Sequence, residues 1–142
     1  MAQVIKPFLD ANVLFTAAYN PKGLAAMLIN RAKALKLHLR SSRYACQEAR
    51  HNLSLKAPQG LTYFEDLLKL ITLFDPLISD GPNPLALPLD DIAIYQGALL
   101  TESTHLLSGD LKAFGKWMNQ PKKTQGLVIQ TIRQFVDANL AG

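Results

Sequence analysis

Cysteine is nearly absent from this 142-residue sequence, in which Cys46 is the only one. An intramolecular disulfide and a cysteine-based zinc site are therefore excluded, and a reducing cytoplasm is the natural compartment. The sequence also lacks the basic start, apolar run and cleavage site of a signal peptide, and no apolar stretch approaches the roughly 18 residues of a membrane span. We therefore expect a soluble, cytoplasmic protein that does not contact a membrane.

A large excess of charge is absent as well. The formal net charge is +4, which permits a polyanionic partner without requiring one. The three histidines, His38, His51 and His105, are not spaced as metal ligands. No linker, internal repeat or low-complexity segment divides the chain, so residues 1–142 are expected to form one domain.

Short apolar runs alternate with segments whose apolar residues recur at helical spacing. Strands are predicted near residues 4–9, 37–40, 104–110 and 126–130. Helices are predicted near residues 24–35, 43–53, 58–73, 89–99 and 132–140. A loop is predicted at 75–89, which contains four prolines and a glycine. The alternation predicts an α/β fold with a parallel sheet covered by helices on both faces.

Two of the predicted strands run into an acid, Asp10 in the first and Asp110 in the third. Ligands of open α/β sheets bind beyond the carboxyl ends of the strands, so both acids are candidate site residues. A helix-capping role explains Asp10 equally well when it is considered alone. Pro7 lacks the N–H that a ladder bond requires, so the first strand either begins there or carries a bulge.

Further acids occur on two predicted helices. Glu48 falls on or beside the apolar face of its helix, where an unpaired charge is costly. It either pairs at the surface with Arg50 or Arg43, or faces a cation that it shares with Asp10. Asp90 and Asp91 open a later helix, where the helix dipole favours acids, although two adjacent acids exceed what a cap requires.

Four segments together resemble the motifs of one enzyme family. Phe8–Leu14 reads Phe-Leu-Asp-Ala-Asn-Val-Leu, and Ser41–Leu53 is a serine-rich entry into a helix that carries Glu48. Asp91–Ala98 contains an Asp-x-x-Ile pattern, and Leu106–Phe114 contains Leu-Leu-Ser-Gly-Asp. These segments resemble, in this order, the motifs of the PIN-domain nucleases. The resemblance spans nearly the whole chain.

The resemblance implies a three-layer α/β/α sandwich with a central, mainly parallel sheet, and hydrolysis of RNA phosphodiester bonds with Mg²⁺ or Mn²⁺. Carboxylates without histidine or cysteine are the donors that such hard cations prefer. By the resemblance, Asp10, Asp91 and Asp110 bind the metal, and Glu48 acts through water as an outer ligand or a base. Asp90 stays open as an alternative to Asp91.

The resemblance also implies supporting residues. Asn12 and Ser108 would orient the carboxylates or a phosphate oxygen through hydrogen bonds. Arg43, Lys112 and Lys116 are candidates for contacts with the substrate phosphates.

Many small stand-alone PIN domains are toxins of toxin–antitoxin pairs and are often dimeric, so the resemblance implies a small antitoxin partner and a homodimer here. One alternative is a phosphatase of the haloacid-dehalogenase type, suggested by Asp10-x-Asn12 and the later Ser108 and Asp110. That chemistry requires a second carboxylate where Asn12 stands. The other alternative is a PIN-like domain that binds RNA or a protein without catalysis.

Overall fold

The computed structural model of this chain describes residues 3–76 and 83–140. The described strands are β1 Pro7–Leu9, β2 Arg40–Ser42, β3 Thr72–Phe74, β4 His105–Leu107 and β5 Val128–Gln130. The described helices are α1 Ala11–Tyr19, α2 Leu24–Arg31, α3 Arg43–Lys56, α4 Leu61–Leu68, α5 Leu89–Leu100, α6 Leu111–Phe114 and α7 Ile132–Asn139. Within these residues, no helix combines the length and the apolar character needed to cross a bilayer.

All five described strands pair in parallel in one sheet, in the order β3-β2-β1-β4-β5. The chain moves from β1 outward to β2 and β3, and then returns across β1 to place β4 on the other side. Because parallel crossovers are right-handed, this reversal puts α1 to α4 on one face and α5 on the other. The packing agrees, since α1 to α4 contact one another and α5 packs on β2 and β4. The predicted three-layer α/β/α sandwich is confirmed.

The reversal in strand order at β1 also determines where a cleft forms. The connections that follow the neighbouring strands β1 and β4 run over opposite faces of the sheet. The helices in these connections therefore diverge at the carboxyl ends of the two strands. This topological switch point is the usual ligand crevice of an open α/β sheet. Asp10 follows β1 directly, and residues 108–110 follow β4.

The strands are short but deeply buried where they carry the core. Phe8, Leu9, Leu106, Leu107 and Ile129 are all fully buried, as expected for parallel strands covered on both faces. β1 begins at Pro7, which is the first of the two arrangements that the sequence allowed. The preceding Lys6 N–H donates to the Thr104 hydroxyl at 2.8 Å, next to the start of β4.

Several predicted boundaries were wrong. The strand predicted for 104–110 spans only His105–Leu107. The second strand is Arg40–Ser42 and not 37–40, because Lys36 has a positive φ of 60° and Leu37 forms only an isolated bridge with Ile5. The helix predicted for 58–73 ends at Leu68, and an edge strand of three residues, β3, follows it. The helix predicted for 24–35 ends at Arg31.

Side chains cap the starts of several helices. Ser42 accepts a hydrogen bond from the Ala45 N–H, and Thr131 forms a capping box with Gln134. These bonds satisfy N–H groups that have no partner within the helix. In the predicted loop 75–89, residues 77–82 lie outside the described residues, whereas Leu85 and Leu87 are buried against the core.

Replacing a fully buried strand residue should destabilise the fold far more than the same change at the surface. We expect Leu106→Ala to lower the free energy of unfolding by about 2–5 kcal/mol, through lost burial and the cavity left in the sheet. The matched control is Leu55→Ala in α3, because Leu55 is 70% exposed. Urea unfolding of both variants measures the difference, and equal values would contradict the described core.

Candidate active site

A cavity of about 410 Å³ opens at the carboxyl ends of β1 and β4. Five carboxylates line it, together with two amides, a lysine and a few apolar groups. The acidic residues are Asp10, Glu48, Asp90, Asp91 and Asp110. They come from four different elements of the fold, and the switch point brings them to one place.

Asp10 lies deepest in this cavity and is only 5% exposed. Its Oδ1 atom accepts a hydrogen bond of 2.6 Å from the Ala11 N–H, and its Oδ2 atom accepts one of 2.7 Å from the Ser108 hydroxyl. The Asn12 amide also donates to Oδ2 at 3.3 Å. Asp10 therefore caps α1 and faces the cavity at the same time, so the structural and functional interpretations are compatible.

Ser108 and Asn12 connect the end of β1 to the end of β4. The buried Ser108 hydroxyl accepts from the Asp110 N–H at 3.0 Å while it donates to Asp10. The Asn12 side-chain oxygen accepts from the Gly109 N–H at 2.8 Å. This network holds Asp10 and Asp110 in a defined relation, and it is the orienting arrangement predicted for Asn12 and Ser108.

The two acids that open α5 have different partners. Asp90 accepts a hydrogen bond of 2.6 Å from the Tyr44 hydroxyl in the first turn of α3. Neither the Asp91 nor the Glu48 carboxylate has a hydrogen-bond partner among the residues that the structure describes. The free carboxylate of Asp91 makes it the better candidate ligand of the pair.

Burial and mutual repulsion shift the ionisation of these acids. Burial raises the pKa of Asp10 from its ordinary value of 3.8 to about 6, although the Ser108 and Ala11 hydrogen bonds oppose this. Burial, followed by the nearby acids, also raises the pKa of Glu48 and of Asp91. A cation that entered the cavity would therefore stabilise the charged forms of Asp10, Glu48 and Asp91.

The surface pairs considered for Glu48 do not form. Arg50 pairs with Glu65 at 2.8 Å, and no ion pair joins Glu48 to Arg43 within residues 3–76 and 83–140. That interpretation of Glu48 was wrong, because α3 turns Glu48 toward the cavity and Arg50 toward α4.

Predicted phosphate-binding residues lie elsewhere. Arg43, Lys112 and Lys116 are exposed and do not line the cavity, and the Lys116 ammonium lies 5.3 Å from the centre of the Trp117 ring. Their contact with substrate stays a prediction.

Sequence reasoning missed Asn52 and Lys56, which line the cavity. Their spacing of four and eight residues from Glu48 could have identified them, because residues four apart share a helix face.

The donor set fits a hard divalent cation. All the acids offer oxygen, which Mg²⁺ and Mn²⁺ prefer. In the described part of the chain, no three His, Cys, Asp or Glu side chains form a group that could hold a metal ion. Mg²⁺ does not require three such ligands, because it retains several waters and takes one or two carboxylates directly.

Stability should depend on pH through Asp10. Between pH 3.8 and about 6 the folded state keeps the Asp10 proton that the unfolded chain has released, so stability falls as pH rises through this range. The shift corresponds to about 3 kcal/mol lost by neutral pH. We expect Asp10→Asn to remove most of this loss and to be more stable than the unsubstituted protein at about pH 7.5 without divalent ions.

Urea unfolding at acidic and neutral pH in EDTA measures this effect. Asp66→Asn serves as the control, because Asp66 is exposed and pairs with Lys69 outside the cavity. The same pH dependence in Asp10→Asn and in the unsubstituted protein would show that Asp10 is not the buried acid described here.

Solved structures with a similar fold include two bacterial VapBC complexes. One is VapBC2 from Rickettsia felis bound to a DNA fragment from their promoter, with a TM-score of 0.59, 14% identity, and coverage of 89% of this chain and 98% of that chain. The other is VapBC-1 from nontypeable Haemophilus influenzae, with a TM-score of 0.58, 15% identity, and coverage of 91% and 99%. No family model matches the sequence, and no curated protein matches it. The matched component is VapC, a PIN-domain protein, and the fold of this chain is therefore PIN-like.

Proposed function

We propose that this protein is an endoribonuclease that hydrolyses RNA phosphodiester bonds with Mg²⁺ or Mn²⁺. The observation that carries the proposal is the convergence of Asp10, Glu48, Asp91 and Asp110 on one cavity. That cavity lies at the switch point of a PIN-like sheet, where an α/β fold binds its ligands. These acids are spread over about a hundred residues of sequence, and the fold brings them together although their electrostatic repulsion opposes this proximity.

Asp10, Asp91 and Asp110 would hold the cation, directly or through water. When bound, a divalent cation lowers the pKa of a coordinated water and offsets negative charge on the scissile phosphate. The hydrogen bonds from Ser108 and Asn12 keep the Asp10 carboxylate in one orientation. Glu48 has a free carboxylate with a raised pKa, which suits acceptance of a proton from the attacking water.

The phosphatase alternative is less well supported. Its chemistry requires a proton-transferring carboxylate at position 12, and the chain has an amide there. Both ends of the Asn12 amide are engaged, the oxygen by the Gly109 N–H and the nitrogen by Asp10 and Ser108. Asn12 therefore supports the structure of the site and cannot transfer a proton.

A toxin role follows from the same fold likeness. VapBC complexes are toxin–antitoxin pairs, and the likeness covers most of this chain. We propose that residues 1–142 act as a single PIN-like domain in the cytoplasm. We further propose that a small antitoxin binds and inhibits it, and that the domain forms a homodimer. Growth arrest on expression, relieved by Asp10→Asn, would support the toxin role.

Cleavage of RNA should require both a divalent cation and the acids of the cavity. We expect single-stranded RNA to be cut with Mg²⁺ or Mn²⁺ and to remain intact with EDTA. Asp10→Asn, Asp91→Asn and Asp110→Asn should each lose roughly 10²–10³-fold in rate, because each removes charge that acts in the transition state. Asp90→Asn should lose much less, because Tyr44 already holds that carboxylate. Gel assays at matched protein concentration measure the rates.

Asp66→Asn again provides the control and should cut at the unsubstituted rate. Retention of full activity in Asp110→Asn would contradict the proposed site. Binding of RNA without cleavage under any metal condition would favour the non-catalytic domain, and turnover of a small phosphate ester would favour the phosphatase.

A further inference from the structure

One side of the acidic cavity is formed by the far end of α3. Glu48, Asn52 and Lys56 follow one another at intervals of four residues and all line the cavity. Residues at this spacing share a helix face. That face therefore changes along the cavity from an acid to an amide and then to a cation.

Lys56 is held without an acidic partner. Its ammonium lies 5.5 Å from the centre of the Phe15 ring in α1, and Phe15 also lines the cavity. No ion pair or hydrogen bond involves the Lys56 ammonium in residues 3–76 and 83–140, even though five carboxylates share the cavity. The contact with the Phe15 ring orients this exposed side chain without using its three N–H donors.

Asn52 is similarly uncommitted. The side chain is half-buried and lines the cavity, and it has no hydrogen-bond partner in the described part of the chain. An amide donor and an ammonium donor are therefore presented about one helical turn apart on the side of α3 that lines the cavity.

A polyanionic substrate needs such a region. Five carboxylates repel a phosphate backbone, and a cation within reach of the same cavity lowers that barrier to binding. The cations that the sequence suggested, Arg43, Lys112 and Lys116, lie outside the cavity lining. Lys56 is the cation that shares the cavity with the acids.

We propose that Asn52 and Lys56 bind a phosphate of the substrate strand next to the phosphate that is cleaved. This inference rests on the proposed function and assigns the substrate class as single-stranded nucleic acid. Tyr19, 58% exposed, stacks on Phe15 with ring centres 5.4 Å apart. A phosphate on Lys56 would place an unpaired base near this aromatic pair, and base stacking on aromatic side chains is characteristic of single-strand binding.

A purely structural role for Lys56 makes a different prediction. Lys56 is the last residue of α3, where a cation interacts favourably with the helix dipole. That role would make Lys56→Met less stable without weakening RNA binding. The Phe15 contact turns the ammonium toward the cavity, which a dipole interaction alone does not require.

The test measures binding separately from cleavage. A short, labelled single-stranded RNA is titrated by fluorescence anisotropy with the Asp110→Asn protein in Mg²⁺, with and without Lys56→Met. We expect Lys56→Met to weaken binding by roughly tenfold and to reduce the slope of log K against log salt by about 0.7. Lys56→Arg should retain most of the binding, because it keeps the charge.

Lys33→Met is the matched control, because Lys33 is exposed and lies outside the cavity lining. It should leave binding unchanged in the same background. In the otherwise unsubstituted protein, Lys56→Met should raise KM and change kcat little, and thermal unfolding monitors the fold.

The outcomes separate this inference from the proposed function. Cleavage with an unchanged KM in Lys56→Met would overturn the phosphate site and leave the nuclease standing. Binding of RNA that depends on Lys56, without cleavage, would support the phosphate site and overturn the nuclease. Equal losses in Lys56→Met and Lys33→Met, or no RNA binding by the Asp110→Asn protein, would overturn the phosphate site.

Discussion

The hydrogen bond from the buried Ser108 hydroxyl to the Asp10 carboxylate is the contact on which the site depends. It joins residues 98 positions apart in the chain and spans the ends of β1 and β4 at 2.7 Å. Asn12 and the Asp110 N–H attach to the same pair. A buried carboxylate that accepts several hydrogen bonds has little freedom to rotate, so the rest of the cavity forms around a fixed acid.

This arrangement opposes the stability of the fold. Burial raises the pKa of Asp10, and burial followed by repulsion from nearby acids raises the pKa of Glu48 and of Asp91. The protein therefore holds at neutral pH a cluster that its own folding free energy disfavours. Such a cost is typical of functional sites, and the proposed divalent cation would offset it on binding.

Helix starts deliver most of the functional side chains to the carboxyl edge of the sheet. Asp10 caps α1, Asp110 caps α6, and Asp90 and Asp91 occupy the first turn of α5. Each acid satisfies backbone N–H groups or the helix dipole, and still presents carboxylate oxygen to the cavity. Capping and the proposed catalysis therefore make the same demand on these positions, and neither interpretation excludes the other.

The sequence by itself determined the class of fold, most helices, the approximate positions of four of the five described strands and the candidate acids, because apolar periodicity and local motifs are properties of neighbouring residues. Only the tertiary structure decided what depends on distant residues. The edge strand β3 has no pattern of its own and forms by pairing with β2. The Arg50 side chain pairs with Glu65, the Tyr44 hydroxyl donates to Asp90, and the Lys56 ammonium lies over the Phe15 ring. Each of these partners comes from another helix. Long side chains reach whichever group packing brings near, and packing is set by the whole chain.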